Sequence, residues 1–269
     1  MRRVSLICSY LLLLFGSLFL VVDIAGLFHN ENYSPTDHHK LTWPQVFELV
    51  DSLQKKSGED VNVYYRRLVH DVNSSTEHYF VEGKQPWSVL QRNGMPFLEN
   101  WAYYIRSYLR HEIGRWNYVE FNNPYFALRR GYGFCSQRAL IAGSILERQG
   151  YHVEILGLSG HVVLDVPGKN LILDPDYNVV MPYSISMIEK DPGLVAKYYP
   201  DNAAAMVEIY GRKGNRSGGL PSRFGRAETR QYIYYLWASW LLPGVSLLAG
   251  AGLWVRLRRK RKVAQPAMA

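Results

Sequence analysis

Cysteine is scarce in this chain: only Cys8 and Cys135 occur among its 269 residues. Cys8 lies inside an apolar N-terminal run, whereas Cys135 lies in the polar part of the sequence. The polar part therefore offers Cys135 no partner for an internal disulfide bond. We expect Cys135 to be a free thiol, and its surroundings decide whether that thiol has a chemical role.

Several kinds of ligand site are also missing from the sequence. No loop has the Asp, Asn and Glu spacing of a calcium site, no Gly-rich loop is of the phosphate-binding kind, and no Cys/His set has zinc spacing. The pair His38–His39 stands alone in a polar stretch that we interpret as a linker. The sequence therefore predicts neither a metal ion nor another cofactor.

The excess of positive charge is confined to the two ends of the chain. Lys and Arg number 31 and Asp and Glu number 23, which gives a net charge of +8. Arg2, Arg3 and the six basic residues within 256–262 account for the whole excess, so the part between them is formally neutral. A nucleic-acid-binding domain needs a basic face of its own. We therefore expect no nucleic-acid partner.

Two uncharged apolar runs, 4–22 and 231–255, are long enough to cross a bilayer, which takes about 20 residues. Basic residues flank the outer end of each run, so the positive-inside rule predicts that both termini are cytoplasmic. The polar part then faces the periplasm if the source is bacterial. The first run is longer than the usual apolar part of a signal peptide, and Asp-Ile-Ala at 23–25 is a poor cleavage site. These features favour an uncleaved anchor over a cleaved signal peptide.

These boundaries predict six consecutive segments, with the lipid bilayer as a partner. They are a transmembrane signal anchor (4–28), a linker with a helical N-terminal part of the outer domain (29–94), a core (95–210), a flexible tether rich in Gly, Arg and Ser (211–230), a transmembrane helix (231–255) and a basic cytoplasmic tail (256–269).

Apolar spacing within the outer domain predicts an α+β fold. Helical spacing begins at Thr42 and recurs over 96–113 and 134–149. The run 62–72 is either another short helix or an ambiguous apolar segment. Short strands are predicted over 152–158, 161–166 and 170–173, separated by Gly-containing turns that are typical of an antiparallel meander. The helix from residue 134 carries Cys135 in its first turn, and we expect it to pack on this small sheet.

The order of Cys135, His161 and Asp174 is the order that a nucleophile, its base and the orienter of that base would need. A helix N-terminus favours a thiolate, His161 starts one predicted strand, and Asp174 ends the next. Each residue alone fits a plain packing or turn role, but together they favour a catalytic triad. Asp176 is a rival to Asp174 for the role of orienter, but we interpret Asp176 as a surface turn residue.

This pattern resembles the transglutaminase-like family, within the papain-like group. The resemblance rests on the helix-starting Cys135, on Gly-His-Val at 160–162 and on Leu-Asp-Pro at 173–175, and it covers about residues 95–182. It implies a Cys-His-Asp triad that acts on a protein or peptide substrate, at a Gln side chain or an amide bond. For a bacterial protein it further implies cell-envelope or exopolysaccharide machinery as a partner. Many bacterial members have an acidic residue just after the cysteine, whereas Ser136 and Gln137 stand here, which leaves the subfamily open.

An oxyanion hole would combine the backbone N–H of Cys135 with a donor from the upstream loop. Trp116, Asn122, Asn123 and Tyr125 are the candidates, and the sequence does not choose between them. The expected function is that of a membrane-anchored, extracytoplasmic thiol acyl-transfer enzyme with a thioester intermediate. The alternatives are a non-catalytic membrane-tethered binding or assembly module, and a purely structural membrane protein in which Cys135 is buried and unreactive.

Overall fold

A computed structural model of the chain describes residues 2–28, 41–78, 97–110, 119–212 and 215–263. The chain divides into two compact units. One unit comprises 1–31, 87–118 and 231–269, and the other comprises 32–86 and 119–230. Helices together with an antiparallel sheet confirm the predicted α+β class.

Helices are the main elements of the described residues. They are α1 (Arg2–Phe28), α2 (Trp43–Ser52), α3 (Val61–Ser74), α4 (Trp101–Leu109), α5 (Pro124–Arg130), α6 (Cys135–Arg148), α7 (Ile185–Lys190), a 3₁₀ helix (Pro192–Tyr198), α8 (Ala203–Gly211) and α9 (Arg226–Val263). The strands are β1 (Glu77–His78), β2 (Tyr132–Gly133), β3 (Glu154–Gly157), β4 (Val162–Val166), β5 (Leu171–Asp174), β6 (Val179–Met181) and β7 (Arg216–Gly219).

Helices α1 and α9 are long and apolar enough to span a membrane, as the sequence predicts. The spans are Arg3–Phe28 and Arg226–Arg259, and their most apolar 18-residue windows have mean hydropathies of 2.5 and 1.5. Only 11% and 17% of their most apolar windows are buried inside the protein. A core helix of a soluble protein would be mostly buried, so this exposure suits a lipid environment.

Small residues bring α1 and α9 into close contact within their unit. A Cβ atom on Gly16 would lie 2.7 Å from Cγ of Leu247, and one on Gly250 would lie 2.9 Å from Cγ of Leu13. The Ser9 hydroxyl donates a 2.8 Å hydrogen bond to the Gly250 carbonyl. Glycine at such positions lets membrane helices approach closely enough for backbone and side chains to interlock.

The other unit is organised around a five-stranded antiparallel sheet, with the strand order β6-β5-β4-β3-β7. Helix α6 packs against β3 and β4, while α7, the 3₁₀ helix and α8 cover the opposite face. Because side chains alternate along a strand, each strand contributes to both layers. The core on the α8 side combines residues from four strands with Ile188, Val195 and Met206.

The predicted meander is confirmed, and the strand limits differ from the predicted ones by only one or two residues. The run 62–72 proves to be helical: Asp60 caps α3 by accepting hydrogen bonds from the backbone N–H groups of Asn62 and Val63. Helix α4 is shorter than predicted because Asn100 caps it by accepting from the N–H of Tyr103, which fixes its start at Trp101. Residues 96 and 111–113 of that prediction lie outside the described residues.

The tether predicted over 211–230 is corrected within its described part. Arg216–Gly219 forms strand β7, which pairs with β3 at the sheet edge. The Ser222 backbone N–H and hydroxyl then both bond to the Glu147 carboxylate, at 2.8 and 2.6 Å. Composition alone suggested flexibility, but an unpaired strand edge offers a Gly-rich segment backbone partners that it lacks by itself.

Candidate functional site

Cys135 is the first residue of α6 and follows a sharp reversal of the chain. Helix α5 ends at Arg130 and is capped by Gly131, whose φ of 75° lies in the left-handed region that glycine tolerates. Strand β2 follows, and Phe134 then takes the N-cap position of α6. The thiol is free and partly exposed, and it lies at the positive end of the helix dipole.

His161 lies beside Asp174 because of the register of β4 and β5. Leu164 pairs with Leu173. His161, three residues before Leu164, therefore lies on the same face of the sheet as Asp174 and diagonal to it. A turn closed by the Leu158 N–H and the His161 carbonyl leads into β4. The His161 Nε2 atom is 2.8 Å from the Asp174 Oδ2 atom.

The Asp174 carboxylate is completely buried and accepts four hydrogen bonds. Its Oδ1 atom accepts from the backbone N–H groups of Asp176, at 3.0 Å, and Tyr177, at 3.2 Å. Its Oδ2 atom accepts from His161 and from the Tyr199 hydroxyl, each at 2.8 Å. All the acceptor sites of an ionised carboxylate are therefore in use, which holds the group rigidly behind the imidazole.

Tyr199 and Tyr210 form a buried hydroxyl pair behind Asp174 that the sequence did not reveal. Their oxygens are 2.9 Å apart. Because the Tyr199 proton is directed to Asp174, Tyr210 must be the donor to Tyr199. Burial raises the pKa of both tyrosines, and the Asp174 charge raises it further, so both hydroxyls stay neutral donors.

The Cys135 thiol and the His161 imidazole interact electrostatically, and each shifts the pKa of the other. Burial by itself raises the pKa of Cys135, but His161 and His78 lower it below the ordinary value. Burial lowers the pKa of His161, but Asp174 and Cys135 outweigh that effect and raise it to about 10. Both shifts favour a thiolate facing an imidazolium at neutral pH.

A second imidazole, that of His78, also lowers the pKa of the Cys135 thiol. Strand β1 pairs in parallel with β2, with His78 opposite Gly133, which places the ring next to the start of α6. The His78 ring meets the Phe134 ring edge to face, with centroids 5.9 Å apart. A two-residue strand has no periodicity to detect, so only its pairing identifies His78.

Asp176 lies beside His78, and the interpretation of Asp176 as a surface residue is wrong. Its side chain is only 8% exposed, and Oδ2 lies 3.6 Å from Nε2 of His78. Arg138 on α6 holds the other oxygen, Oδ1, at 3.1 Å. Asp176 does not replace Asp174 at His161, because the turn after β5 directs the two carboxylates to different imidazoles.

The described oxyanion-hole candidates make contacts elsewhere. The Asn122 side-chain amide donates to the Ser222 carbonyl at 2.9 Å, and the Asn123 side chain caps α5 by accepting from the Tyr125 N–H. The Tyr125 ring packs against Phe47. Trp116 lies outside the described residues.

Within the described ranges, no group of three or more His, Cys, Asp or Glu side chains could hold a metal ion. Comparisons with protein-family models, with curated proteins and with solved structures found no match for this chain.

Proposed function

We propose that this chain is a membrane-anchored thiol acyl-transfer enzyme, similar to the transglutaminase-like family, with its catalytic domain outside the cytoplasm. In this proposal Cys135 is the nucleophile and His161 is the general base and acid. Asp174 orients the imidazole and stabilises its positive charge. Helices α1 and α9 would anchor the chain in the membrane.

The observation that carries the proposal is the arrangement of Cys135, His161 and Asp174 in the order thiol, imidazole, carboxylate. The partly exposed thiol and His161 shift each other's pKa, and His161, which is 5% exposed, is hydrogen-bonded to a fully buried carboxylate at 2.8 Å. Burying a charged carboxylate is costly unless it is fully hydrogen-bonded. A purely structural role for Cys135 would need neither the histidine nor this carboxylate.

The chemistry follows from these positions. The Cys135 thiolate attacks a carbonyl carbon, an S–C bond forms, and the C=O electron pair moves to oxygen. When that pair returns, the C–N bond breaks and His161 gives its proton to the leaving nitrogen, which leaves a thioester on Cys135. Water or an amine then attacks the thioester, His161 takes a proton from the attacking group, and the thiolate leaves.

The same steps serve three outcomes that differ only in the acyl donor and acceptor. Water acting on a peptide acyl group gives hydrolysis, and water acting on a Gln acyl group gives deamidation. An amine acting on a Gln acyl group gives a crosslink. If the source is bacterial, proteins of the cell envelope or of exopolysaccharide machinery are the substrates that this location would offer.

Acylation by p-nitrophenyl acetate tests the proposal on the full chain in detergent. We expect an acetyl thioester on Cys135, detected by mass spectrometry after acid quenching, and continued release of p-nitrophenolate. Cys135→Ala should lose both signals, and Cys8→Ala, the matched control, should keep both. Removing the general base with His161→Ala should slow turnover about 10²- to 10⁴-fold.

One result would contradict the catalytic role of Cys135. If Cys135 is acetylated at the same rate with and without His161, and turnover stops after one equivalent, the thiol is not catalytic. That result would favour a non-catalytic membrane-tethered binding module.

A further inference from the structure

Two imidazole–carboxylate pairs meet at one thiol. Strands β4 and β5 place His161 with Asp174, and β1 places His78 with Asp176 beside Phe134 at the start of α6. Both imidazoles lower the pKa of Cys135. The residues Asp-Pro-Asp at 174–176 supply both carboxylates, and the Asp176 N–H bonds to the Asp174 side chain at 3.0 Å. The two pairs are therefore held in a fixed relation to each other.

The two pairs are not equivalent. His161 is 5% exposed and has a 2.8 Å hydrogen bond to its carboxylate, whereas the His78 side chain is 30% exposed and lies 3.6 Å from its own. One thiol proton can move to only one of the two rings. The buried, tightly bonded His161 suits proton transfer, which leaves His78 as a ring that keeps its N–H.

His78 is also held where a donor is needed. Asp176 is fixed by Arg138 Nη1 at 3.1 Å, and Arg138 Nη2 donates to the Thr76 carbonyl, two residues before His78. The Glu77 N–H bonds to the Gly131 carbonyl at 2.8 Å, which joins β1 to the segment that leads to Cys135. The ring therefore sits on the same framework as the N-terminus of α6, with both backbone and side chain restrained.

We propose that His78 is the side-chain donor of the oxyanion hole for the reaction proposed above, on which this inference rests. In the resting site the ring donates to the thiolate. When Cys135 attacks, the charge moves to the former carbonyl oxygen, and the His78 N–H donates to that oxygen together with the backbone N–H of Cys135. The ring keeps its proton throughout, because the proton for the leaving nitrogen comes from His161.

A comparison of two reactions at the same sulfur tests this role. Acetylation by p-nitrophenyl acetate passes through an oxyanion, whereas alkylation by iodoacetamide displaces iodide and forms none. In the full chain, at a pH where the thiol is ionised, His78→Ala should lower acylation about 10²- to 10³-fold and leave alkylation nearly unchanged. His78→Gln keeps an N–H donor and should recover part of the acylation rate.

His70→Ala, which removes an exposed histidine on α3, is the matched control and should leave both reactions unchanged. Equal losses of acylation and alkylation in both His78 variants would assign His78 to thiolate stabilisation and overturn the oxyanion role. Acylation of His78→Ala at the wild-type rate would overturn it as well. A wild-type chain that alkylates but never acylates would instead refute the proposed function, so the two failures are distinguishable.

Discussion

At the scale of single residues, the site depends on which group carries each proton. Together, His161 and His78 outweigh the effect of burial on the pKa of Cys135. Asp174 is the fixed negative charge of the set, with four donors around it. The ionisation of the Cys135 thiol and the neutrality of the Tyr199 and Tyr210 hydroxyls are consequences of these contacts that can be measured.

The pH dependence of Cys135 reactivity follows from the two pKa shifts. Because the pKa of Cys135 is lowered, its iodoacetamide labelling should persist below the pKa of a free thiol, about 8.5, and fade only as the pH falls through the lowered value. Acyl transfer needs the imidazolium as well, so it should decline as the pH rises through the His161 pKa of about 10, while labelling does not. Rate–pH profiles of both reactions, with urea-unfolded protein as the control, check this. A labelling midpoint identical to that of the unfolded chain would contradict it.

The tyrosine pair should show an ordered loss of stability. Tyr199→Phe removes one donor to Asp174 and also leaves the Tyr210 hydroxyl without its acceptor, so we expect it to cost about 1–3 kcal/mol. Tyr210→Phe removes one neutral hydrogen bond and keeps the Tyr199–Asp174 contact, for about 0.5–1.5 kcal/mol. Thermal unfolding of both variants should place Tyr199→Phe lower. The reverse order would show that Tyr199 does not donate to Asp174.

At the scale of elements, strand pairing positions the side chains of the site, and glycine contacts position the two membrane-length helices. The register of β4 and β5 brings His161 diagonally beside Asp174, and the parallel pairing of β1 with β2 brings His78 to the helix that starts at Cys135. In the other unit, glycines set the separation of α1 and α9. Displacing a whole element should therefore cost more than removing any single hydrogen bond.

The close contact between α1 and α9 can be tested with neighbouring glycines of α9. Gly250→Leu should separate the helices, since even a Cβ there lies 2.9 Å from Leu13, whereas Gly252 has open space around it. We expect Gly250→Leu to lower the thermal unfolding midpoint in detergent and Gly252→Leu to leave it near wild type. Equal midpoints for the two variants would mean that the helices do not pack through Gly250.

At the scale of the whole molecule, the charge distribution is the guide to membrane orientation. The excess positive charge lies beyond the two apolar spans, and the remainder is formally neutral. Two membrane-length helices with basic outer ends predict that both termini lie in the cytoplasm and that the sheet domain lies on the other side.

Labelling of intact cells with a membrane-impermeant maleimide tests this orientation. In a chain with Cys8→Ser and Cys135→Ser, Lys169→Cys in the exposed β4–β5 turn should be labelled without permeabilisation. Arg259→Cys, in the basic run, should be labelled only after the cells are permeabilised. The opposite pattern would invert the topology and would place the site in the cytoplasm.

The sequence by itself determined the features that depend on local periodicity. Apolar run length indicated the two membrane spans, helical spacing indicated the helix that begins at Cys135, and alternation with Gly turns indicated the strands that carry His161 and Asp174. These features need only near neighbours in the chain, which is why they could be predicted from it.

Only the tertiary structure decided which residues surround Cys135, His161 and Asp174. His78 comes from a two-residue strand far upstream, Tyr199 follows the 3₁₀ helix, and Tyr210 lies on α8. None of them has a local pattern that points to Cys135. The role of Asp176 was equally hidden, because a turn residue and a buried ion partner look the same in sequence. Such groups meet through strand pairing and helix packing, and those contacts join residues that are distant in the chain.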